Sequence, residues 1–305
     1  MLNNLPFTNK KFTKDGKPRA RVSLLDLETI WFNTGTLCNL QCKKCYIKSS
    51  PRNDYLEYLR LEEVYKHLKD IKNLKLNTKL VGFTGGEPFM NPDIIKMLSL
   101  SLSYGFNVLL LTNAMRPMML KSKLMSQLLN RDRLTVRVSI DHYTKDKHER
   151  IRGENTWENV ILGLKWLTNN NFNVTVASRK ENGETDDTAR LGFKKLFFNH
   201  NINIDAMNTE KLVLFPEMDN RKDVIEISES CWDILKKSPE ETMCSRSRMI
   251  VKKKHQKESK VLACTLITED ENFELGNTIQ SAKKHVYLNH PFCSQFCVLG
   301  NSSCS

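Results

Sequence analysis

The chain of 305 residues has no apolar run close to the length of a membrane-spanning helix, and its N-terminal residues contain no apolar signal-peptide core. These absences predict a cytoplasmic protein without a membrane partner. The chain has nine cysteines, an odd number that cannot be paired completely into disulfides. Since cytoplasmic thiols stay reduced and no secretory signal is present, a disulfide framework is the weaker interpretation of these cysteines.

Aromatic residues are missing from the basic segments. The net charge is +12, yet the lysine runs at 252–254 and 283–284 are short and no aromatic side chains alternate with them. A surface that stacks bases needs such aromatic residues. A lysine-rich surface therefore explains the charge more simply than an acidic partner, and we do not expect the chain to bind nucleic acid.

The sequence contains a regular alternation of strand-like and helix-like segments. Short apolar runs typical of buried parallel strands occur at 28–35, 79–86, 107–114, 133–141, 172–179 and 211–218. Helix-like segments alternate with them at 61–74, 92–105, 117–130, 156–171, 186–199 and 223–237. Six such units are too few for a closed eight-fold barrel, so the sequence predicts an α/β fold, a partial (β/α)6 TIM-like barrel.

The distribution of cysteines divides the chain further. No cysteine occurs between residues 46 and 230, and from about residue 238 cysteines return while helical periodicity fades. We therefore predict an N-terminal arm over 1–27, the partial barrel over 28–237 and a small cysteine-rich α+β domain over 238–305.

Polar residues follow the predicted strands at the point where each strand ends. Ligands of parallel α/β sheets bind at this edge. The residues found there are Gly85, Gly86, Glu87, Pro88, Asn113, Ser139, Asp141, Ser178 and Arg179, together with the loop TLCNLQCKKCYI after the first strand. Packing alone does not explain so many polar features on one rim, so we expect a binding site.

The loop after the first strand carries Cys38, Cys42 and Cys45 in the spacing C-x3-C-x2-C. A structural zinc site needs four ligands, and no fourth cysteine or nearby histidine follows in the loop. A ferredoxin-type run would be C-x2-C-x2-C with a further Cys-Pro, which is absent. A four-iron cluster held by three thiolates would keep one iron open for another ligand.

This motif and its surroundings resemble the radical S-adenosylmethionine (radical SAM) superfamily. TGTLCNLQCKKCY, GFTGGEPFMNPD, LLLTNAM and VSIDHYTKDKHERIRG occur in the usual order of that family, over about residues 28–180. The resemblance implies that Cys38, Cys42 and Cys45 bind a [4Fe–4S] cluster whose fourth iron is chelated by S-adenosylmethionine. It also implies cleavage of S-adenosylmethionine to a 5′-deoxyadenosyl radical, with an electron from a flavodoxin- or ferredoxin-type donor.

The resemblance assigns roles to the residues of the rim. Gly85, Gly86, Glu87 and Pro88 match the motif that receives the amino group of S-adenosylmethionine, and Glu87 would accept from the ammonium. Ser139 and Asp141 match ribose contacts, Ser178 and Arg179 a carboxylate partner, and Asn113 a further rim contact. One departure is Lys44, because the family usually has an aromatic residue before the third cysteine, near adenine; here Tyr46 follows that cysteine instead.

The C-terminal cysteines form a second constellation. The segment from Cys244 through HPFCSQFC resembles the auxiliary-cluster extension known as SPASM, or in shorter form twitch. The resemblance implies one auxiliary [4Fe–4S] cluster, with Cys244, Cys264, Cys293 and Cys297 as ligands and Cys304 as the substitute for the fourth. Cys231 lies inside a predicted helix and is left out. Four thiolates also suit a structural zinc, which stays an alternative.

The function predicted from this resemblance is that of a radical SAM oxidoreductase with a small-molecule or peptide substrate. The short N-terminal arm favours a small molecule, and the alternative within the family is a ribosomal-peptide maturase. An alternative from another class is a non-catalytic zinc or iron–sulfur module that binds nucleic acid.

Overall fold

A computed structural model describes residues 5–181, 183–218 and 224–304. Its strands are β1 (Arg21–Val22), β2 (Thr29–Asn33), β3 (Leu80–Thr84), β4 (Asn107–Thr112), β5 (Leu134–Ser139), β6 (Asn173–Arg179), β7 (Leu212–Phe215), β8 (Ser247–Val251), β9 (Lys260–Leu262), β10 (Glu274–Gly276) and β11 (Val286–Tyr287). Its α-helices are α1 (Leu61–Asn73), α2 (Ile94–Ser103), α3 (Arg116–Leu120), α4 (Ser122–Ser126), α5 (Lys145–Arg152), α6 (Trp157–Asn169), α7 (Asp186–Asn199) and α8 (Cys231–Leu235).

Within these described ranges, nine strands form one sheet in the order β10-β9-β8-β2-β3-β4-β5-β6-β7. Strands β2 to β7 are parallel neighbours, as expected for strands joined through helices. The predicted partial α/β barrel is therefore confirmed. Strand β8 from the cysteine-rich segment adds to β2 in parallel, and β9 and β10 continue the sheet in antiparallel pairing.

The interior of the barrel is packed through the sheet register. Trp31 on β2 pairs with Gly82 on β3, and a Cβ on that glycine would lie 2.3 Å from the indole ring. Glycine is therefore required beside the large Trp31 side chain, which is completely buried. On the outer face, helix α1 packs an apolar stripe of Val64, Leu68 and Ile71 into the core.

The helices differ from the prediction in three places. The predicted helix 117–130 forms as the two short helices α3 and α4. The predicted helix 223–237 forms only over Cys231–Leu235, and residue 223 lies outside the described residues. Helix α5 was not predicted, because its sequence KDKHERIR has no apolar stripe and His148 is its one buried residue. Sequence periodicity detects helices through apolar faces, and α5 is positioned instead by buried charge pairs described below.

The N-terminal arm packs against the C-terminal segment. Strand β1 pairs with β11, and the fully buried Arg19 forms an ion pair with Glu226 and donates to the carbonyl oxygen of Leu288 at 3.4 Å. In the part of the chain that the structure describes, no helix is both long and apolar enough to cross a bilayer.

Candidate active site

A cavity opens at the C-terminal ends of the parallel strands. It encloses about 1240 Å³ of empty space, including its open mouth. Most of the residues predicted for the site line this cavity: Cys38, Cys42, Cys45, Gly85, Gly86, Asn113, Ser139, Asp141, Ser178 and Arg179. Glu87 and Pro88 are not among the described residues that line it. The fold therefore brings together residues that are up to 141 positions apart in the chain, from Cys38 to Arg179.

The three thiols of the first loop face this cavity. The amide of Leu40 donates to the sulfur of Cys38 at 3.4 Å, and the amide of Ser49 donates to the sulfur of Cys45 at 3.3 Å. Burial raises the pKa of Cys38 to about 12 and also raises the pKa of Cys42. These thiols would lose their protons only beside a strong positive charge such as iron, so binding of a metal centre should release protons.

The two glycines after β3 allow the backbone to approach the cysteine loop closely. A Cβ on Gly86 would lie 2.2 Å from the carbonyl oxygen of Leu37, and a Cβ on Gly85 would lie 2.7 Å from that of Gly35. Gly85 also has φ +141°, which other residues rarely adopt. The amide of Gly86 donates to the Gly35 carbonyl at 2.8 Å, so this turn and the start of the cysteine loop form one unit.

The carboxylate of Glu87 is turned toward protein donors. It accepts hydrogen bonds from the hydroxyl of Thr112 at 2.8 Å, the amide of Asn113 at 2.8 Å and the amide of Phe89 at 3.1 Å. Burial raises the pKa of Glu87 to about 6, although these donors oppose the shift. In this placement Glu87 joins the end of β3 to the end of β4.

Asn113 links the strand ends to the cysteine loop. Its side-chain amide nitrogen donates to the side-chain oxygen of Asn39 at 2.9 Å, and its own side-chain oxygen accepts from the amide of Met115 at 3.1 Å. The side chain is almost completely buried. Asn113 therefore positions the loop between Cys38 and Cys42.

Asp141 is held by two arginines. Its carboxylate forms ion pairs with Arg152 at 2.7 Å and with Arg179 at 3.2 Å. The pKa of Asp141 is lowered because the two guanidiniums outweigh the effect of burial. The Arg152 guanidinium also lowers the pKa of Cys42 against the effect of burial. Sequence analysis missed Arg152 because it lies on α5, the helix without an apolar pattern.

Arg179 is tied to the cysteine loop. Its guanidinium donates to the carbonyl oxygen of Lys44 at 2.6 Å and lies over the ring of Tyr46, 4.5 Å from the ring centre. Tyr46 lines the cavity, and its buried hydroxyl has no hydrogen-bond partner among the described residues. The Lys44 side chain instead forms an exposed ion pair with Glu217. An aromatic ring is thus present at the site, although from the residue after the third cysteine.

Two further polar groups face the cavity. The buried hydroxyl of Ser178 has no hydrogen-bond partner in the described chain. Arg137 on β5 also lines the cavity, and sequence analysis missed it. The sequence could have predicted Arg137, because Arg137 precedes Ser139 by two residues on the same strand. Side chains two residues apart in a strand point to the same face.

A second, smaller cavity lies in the C-terminal segment. Cys244, Cys264, Cys293 and Cys297 all line it, whereas Cys304 lines the first cavity. Burial raises the pKa of Cys264 to about 12, and the pKa values of Cys293 and Cys297 lie well above the usual value for a thiol. Across residues 5–181, 183–218 and 224–304, no three Cys, His, Asp or Glu side chains converge as ligands of a single metal ion.

Relatives of known name match about half of the chain. A protein described as "Probable GTP 3′,8-cyclase" from Pyrococcus horikoshii is 29% identical over 150 residues, which cover 49% of this chain and 46% of the relative. The mycofactocin maturase MftC from Mycobacterium ulcerans is 24% identical over 159 residues, which cover 50% of this chain and 41% of the relative. The matched part of this chain therefore spans less than half the length of each of these two relatives.

A solved structure and a family model extend the comparison. The crystal structure of Streptococcus suis SuiB bound to precursor peptide SuiA superposes with a TM-score of 0.57 at 13% identity, over 86% of this chain and 66% of SuiB, which supports the fold. The model of the family described as "Radical SAM superfamily" matches residues 32–191, just over half of the chain. The chain belongs to the radical SAM superfamily.

Proposed function

We propose that this chain is an enzyme that binds a [4Fe–4S] cluster through Cys38, Cys42 and Cys45 and cleaves S-adenosylmethionine beside it. The observation that carries this proposal is that the three thiols line the same cavity as Gly85, Gly86 and the Asp141 carboxylate. When bound, the cluster and S-adenosylmethionine supply a 5′-deoxyadenosyl radical that removes a hydrogen atom from a substrate.

The side chains of the cavity fit such a cofactor. Gly85 and Gly86 let the backbone after β3 approach the cysteine loop at the edge of the cavity, and the buried hydroxyls of Ser178 and Tyr46 lack partners in the described chain. Buried polar groups without partners are costly, so they point to a polar ligand. Ser178 and Arg179, which line the cavity, are the residues we assign to the carboxylate of S-adenosylmethionine.

We further propose that Cys244, Cys264, Cys293 and Cys297 hold one auxiliary [4Fe–4S] cluster. The shared cavity supports these four ligands and favours Cys297 over Cys304 as the fourth. The two cavities adjoin, because Leu266 lines both. The ring of Tyr46 from the first cavity and the ring of Phe292 from the second are in contact, with their centres 5.6 Å apart. This proximity suits a role of the auxiliary cluster in electron transfer or in substrate binding.

The substrate proposed for this site is a small molecule or a peptide. One relative is described as a probable GTP 3′,8-cyclase, which fits a small-molecule substrate, and another as a maturase, which fits a peptide substrate. Peptide modification is the second candidate function, and it is favoured by the fold shared with SuiB, whose crystal structure contains a precursor peptide. A flavodoxin- or ferredoxin-type protein is the electron donor that we propose for either class.

The proposed chemistry is tested by product analysis. The protein is reconstituted anaerobically with iron and sulfide, reduced with dithionite and incubated with S-adenosylmethionine. We expect 5′-deoxyadenosine and methionine. A fully reconstituted protein that forms no 5′-deoxyadenosine would contradict the enzyme proposal and favour a non-catalytic metal module.

The auxiliary cluster is tested by iron and zinc analysis of variants. Replacing Cys38, Cys42 and Cys45 together by Ala should leave about four irons per chain, whereas a zinc site would leave zinc and no iron. Cys231→Ala is the matched control, because this thiol contacts Ser228 and lines neither cavity. Cys297→Ala should remove the auxiliary iron and Cys304→Ala should keep it; the opposite result would exchange their roles.

A further inference from the structure

Arg137 is the arginine of the first cavity that has no acidic partner among the described residues. Three arginines and one aspartate line this cavity. Arg152 and Arg179 share the Asp141 carboxylate, whereas Arg137 donates its hydrogen bonds to neutral oxygens. Its Nε donates to the hydroxyl of Thr175 at 3.2 Å, and its Nη1 donates to the carbonyl oxygen of Cys304 at 2.8 Å.

The position of Arg137 in the sheet separates it from the Asp141 carboxylate. Arg137 lies in the middle of β5, between Leu111 on β4 and Thr175 on β6. Asp141 follows four residues later, about 13 Å further along an extended chain. Arg137 is hydrogen-bonded to the backbone of Cys304, whereas Asp141 is paired with Arg152 and Arg179. Arg137 therefore lies on a different part of the cavity from the Asp141 ion pairs.

Apolar side chains share the cavity with Arg137. Leu111, Phe215 and Phe296 line it. Burial lowers the pKa of the half-buried Arg137 guanidinium. The two contacts occupy Nε and one hydrogen of Nη1, so Nη2 and the other hydrogen of Nη1 remain as a fork. A guanidinium fork matches the two oxygens of a carboxylate, and a buried charge without a counter-charge is costly.

We propose that Arg137 binds a carboxylate of the substrate, and that the substrate class is an acid with an adjoining apolar group. This inference rests on the function proposed above and assigns the substrate end of its cavity. The carboxylate comes either from a small organic acid or from an acidic residue of a peptide. The net positive charge of the cavity lining, three arginines against one aspartate, complements either source.

Equilibrium dialysis of the reconstituted protein tests this inference. S-adenosylmethionine is present and reductant is omitted, so that no turnover occurs. The small-molecule arm compares phenylacetate with phenylacetamide, and the peptide arm compares a blocked glutamyl-phenylalanine amide with its glutaminyl analogue. We expect the acid to bind at least about tenfold more tightly than the matched amide in one arm, which identifies the source. Equal binding of acid and amide in both arms would overturn the proposal.

Variants assign the preference to Arg137. Arg137→Gln should abolish the preference for the acid, and Arg150→Gln, an exposed arginine on α5, should leave it unchanged. Arg137→Lys keeps the positive charge but loses the guanidinium fork, so the preference for the acid should fall severalfold. The lysine variant replaces the glutamine variant in this test if the glutamine variant does not fold. A preference that is unchanged in a folded Arg137 variant would contradict the assignment.

The 5′-deoxyadenosine assay separates this inference from the proposed function. If 5′-deoxyadenosine forms but the protein binds acids and amides equally well, the carboxylate assignment to Arg137 is wrong and the proposed enzymatic function stands. If acids bind preferentially through Arg137 but no 5′-deoxyadenosine forms, the binding site stands and the proposed chemistry is wrong.

Discussion

The fully buried guanidinium of Arg248 donates a hydrogen bond to the carbonyl oxygen of Cys244. Its Nε donates to the carbonyl of Ala282 at 2.9 Å, and the described residues offer it no carboxylate partner. Burial lowers the pKa of Arg248 to about 10, while Cys244 and Cys264 favour its charged form. We therefore expect the thiolates of the proposed auxiliary cluster to be its counter-charge when the cluster is bound.

Replacing Arg248 by Gln should destabilise the auxiliary site. The variant leaves buried carbonyls without donors and removes the counter-charge, so we expect a loss of about 3 kcal/mol in the free energy of unfolding. Iron should fall from about eight to about four per chain after reconstitution. Urea denaturation and iron analysis measure both effects. Arg246→Gln is the control, since the exposed ion pair of Arg246 with Glu28 should contribute less than about 1 kcal/mol; equal losses in both variants would contradict the prediction.

Replacing Gly86 by Ala should disturb the cysteine loop. The new Cβ would lie 2.2 Å from the carbonyl oxygen of Leu37, so the backbone before Cys38 must move. We expect the iron bound by the first three cysteines to be lost, with about four irons remaining. Gly16→Ala is the control: its φ of +74° disfavours alanine, but a Cβ there would meet open space, so this variant should keep all the iron. Full iron content in the Gly86 variant would show that the loop tolerates the displacement.

Glu87 should make the stability of the protein depend on pH. Burial raises its pKa from 4.5 to about 6, so the native protein holds more protons than the unfolded chain between these two values. The free energy of unfolding therefore falls as pH rises through this window. From pH 5 to pH 7.5 the wild type should lose about 1 kcal/mol relative to the Glu87→Gln variant.

Urea denaturation of the two proteins under reducing conditions at both pH values measures this difference. Effects of other titrating groups cancel, because they are common to both proteins. A difference between the two proteins that does not change with pH would mean that the carboxyl group of Glu87 titrates in its ordinary range.

Tyr46 should contribute more to S-adenosylmethionine binding than Lys44. The Tyr46 ring lines the cavity, and aromatic stacking on a base contributes about 1–3 kcal/mol, whereas the Lys44 side chain pairs with Glu217 at the surface. We expect Tyr46→Ala to raise the dissociation constant about tenfold or more and Lys44→Ala to change it less than about twofold. Equilibrium dialysis of S-adenosylmethionine against the reconstituted variants measures both dissociation constants. A larger effect of Lys44→Ala than of Tyr46→Ala would identify the residue before the third cysteine as the adenine contact.

Local patterns were sufficient for the fold and the first cysteine site. Apolar runs and amphipathic segments predicted all six barrel strands, because a buried parallel strand has a continuous apolar sequence. The spacing of Cys38, Cys42 and Cys45, with the motifs around it, predicts a cluster loop, and in the structure these three thiols line one cavity. Helix α5 was missed because its eight residues contain one buried side chain, and its Arg152 is held by Asp141.

The sequence by itself determined the family, the order of strands and helices, and the two groups of cysteines. Only the tertiary structure decided which groups are already paired: Glu87 with Thr112 and Asn113, Arg179 with Asp141, and Lys44 with Glu217. It also separated Cys297 from Cys304 and left Arg137 without an acidic partner in the described chain. The physical reason is that apolar periodicity is a local property, whereas the partner of a buried charge comes from a distant part of the chain and depends on how the strands are arranged.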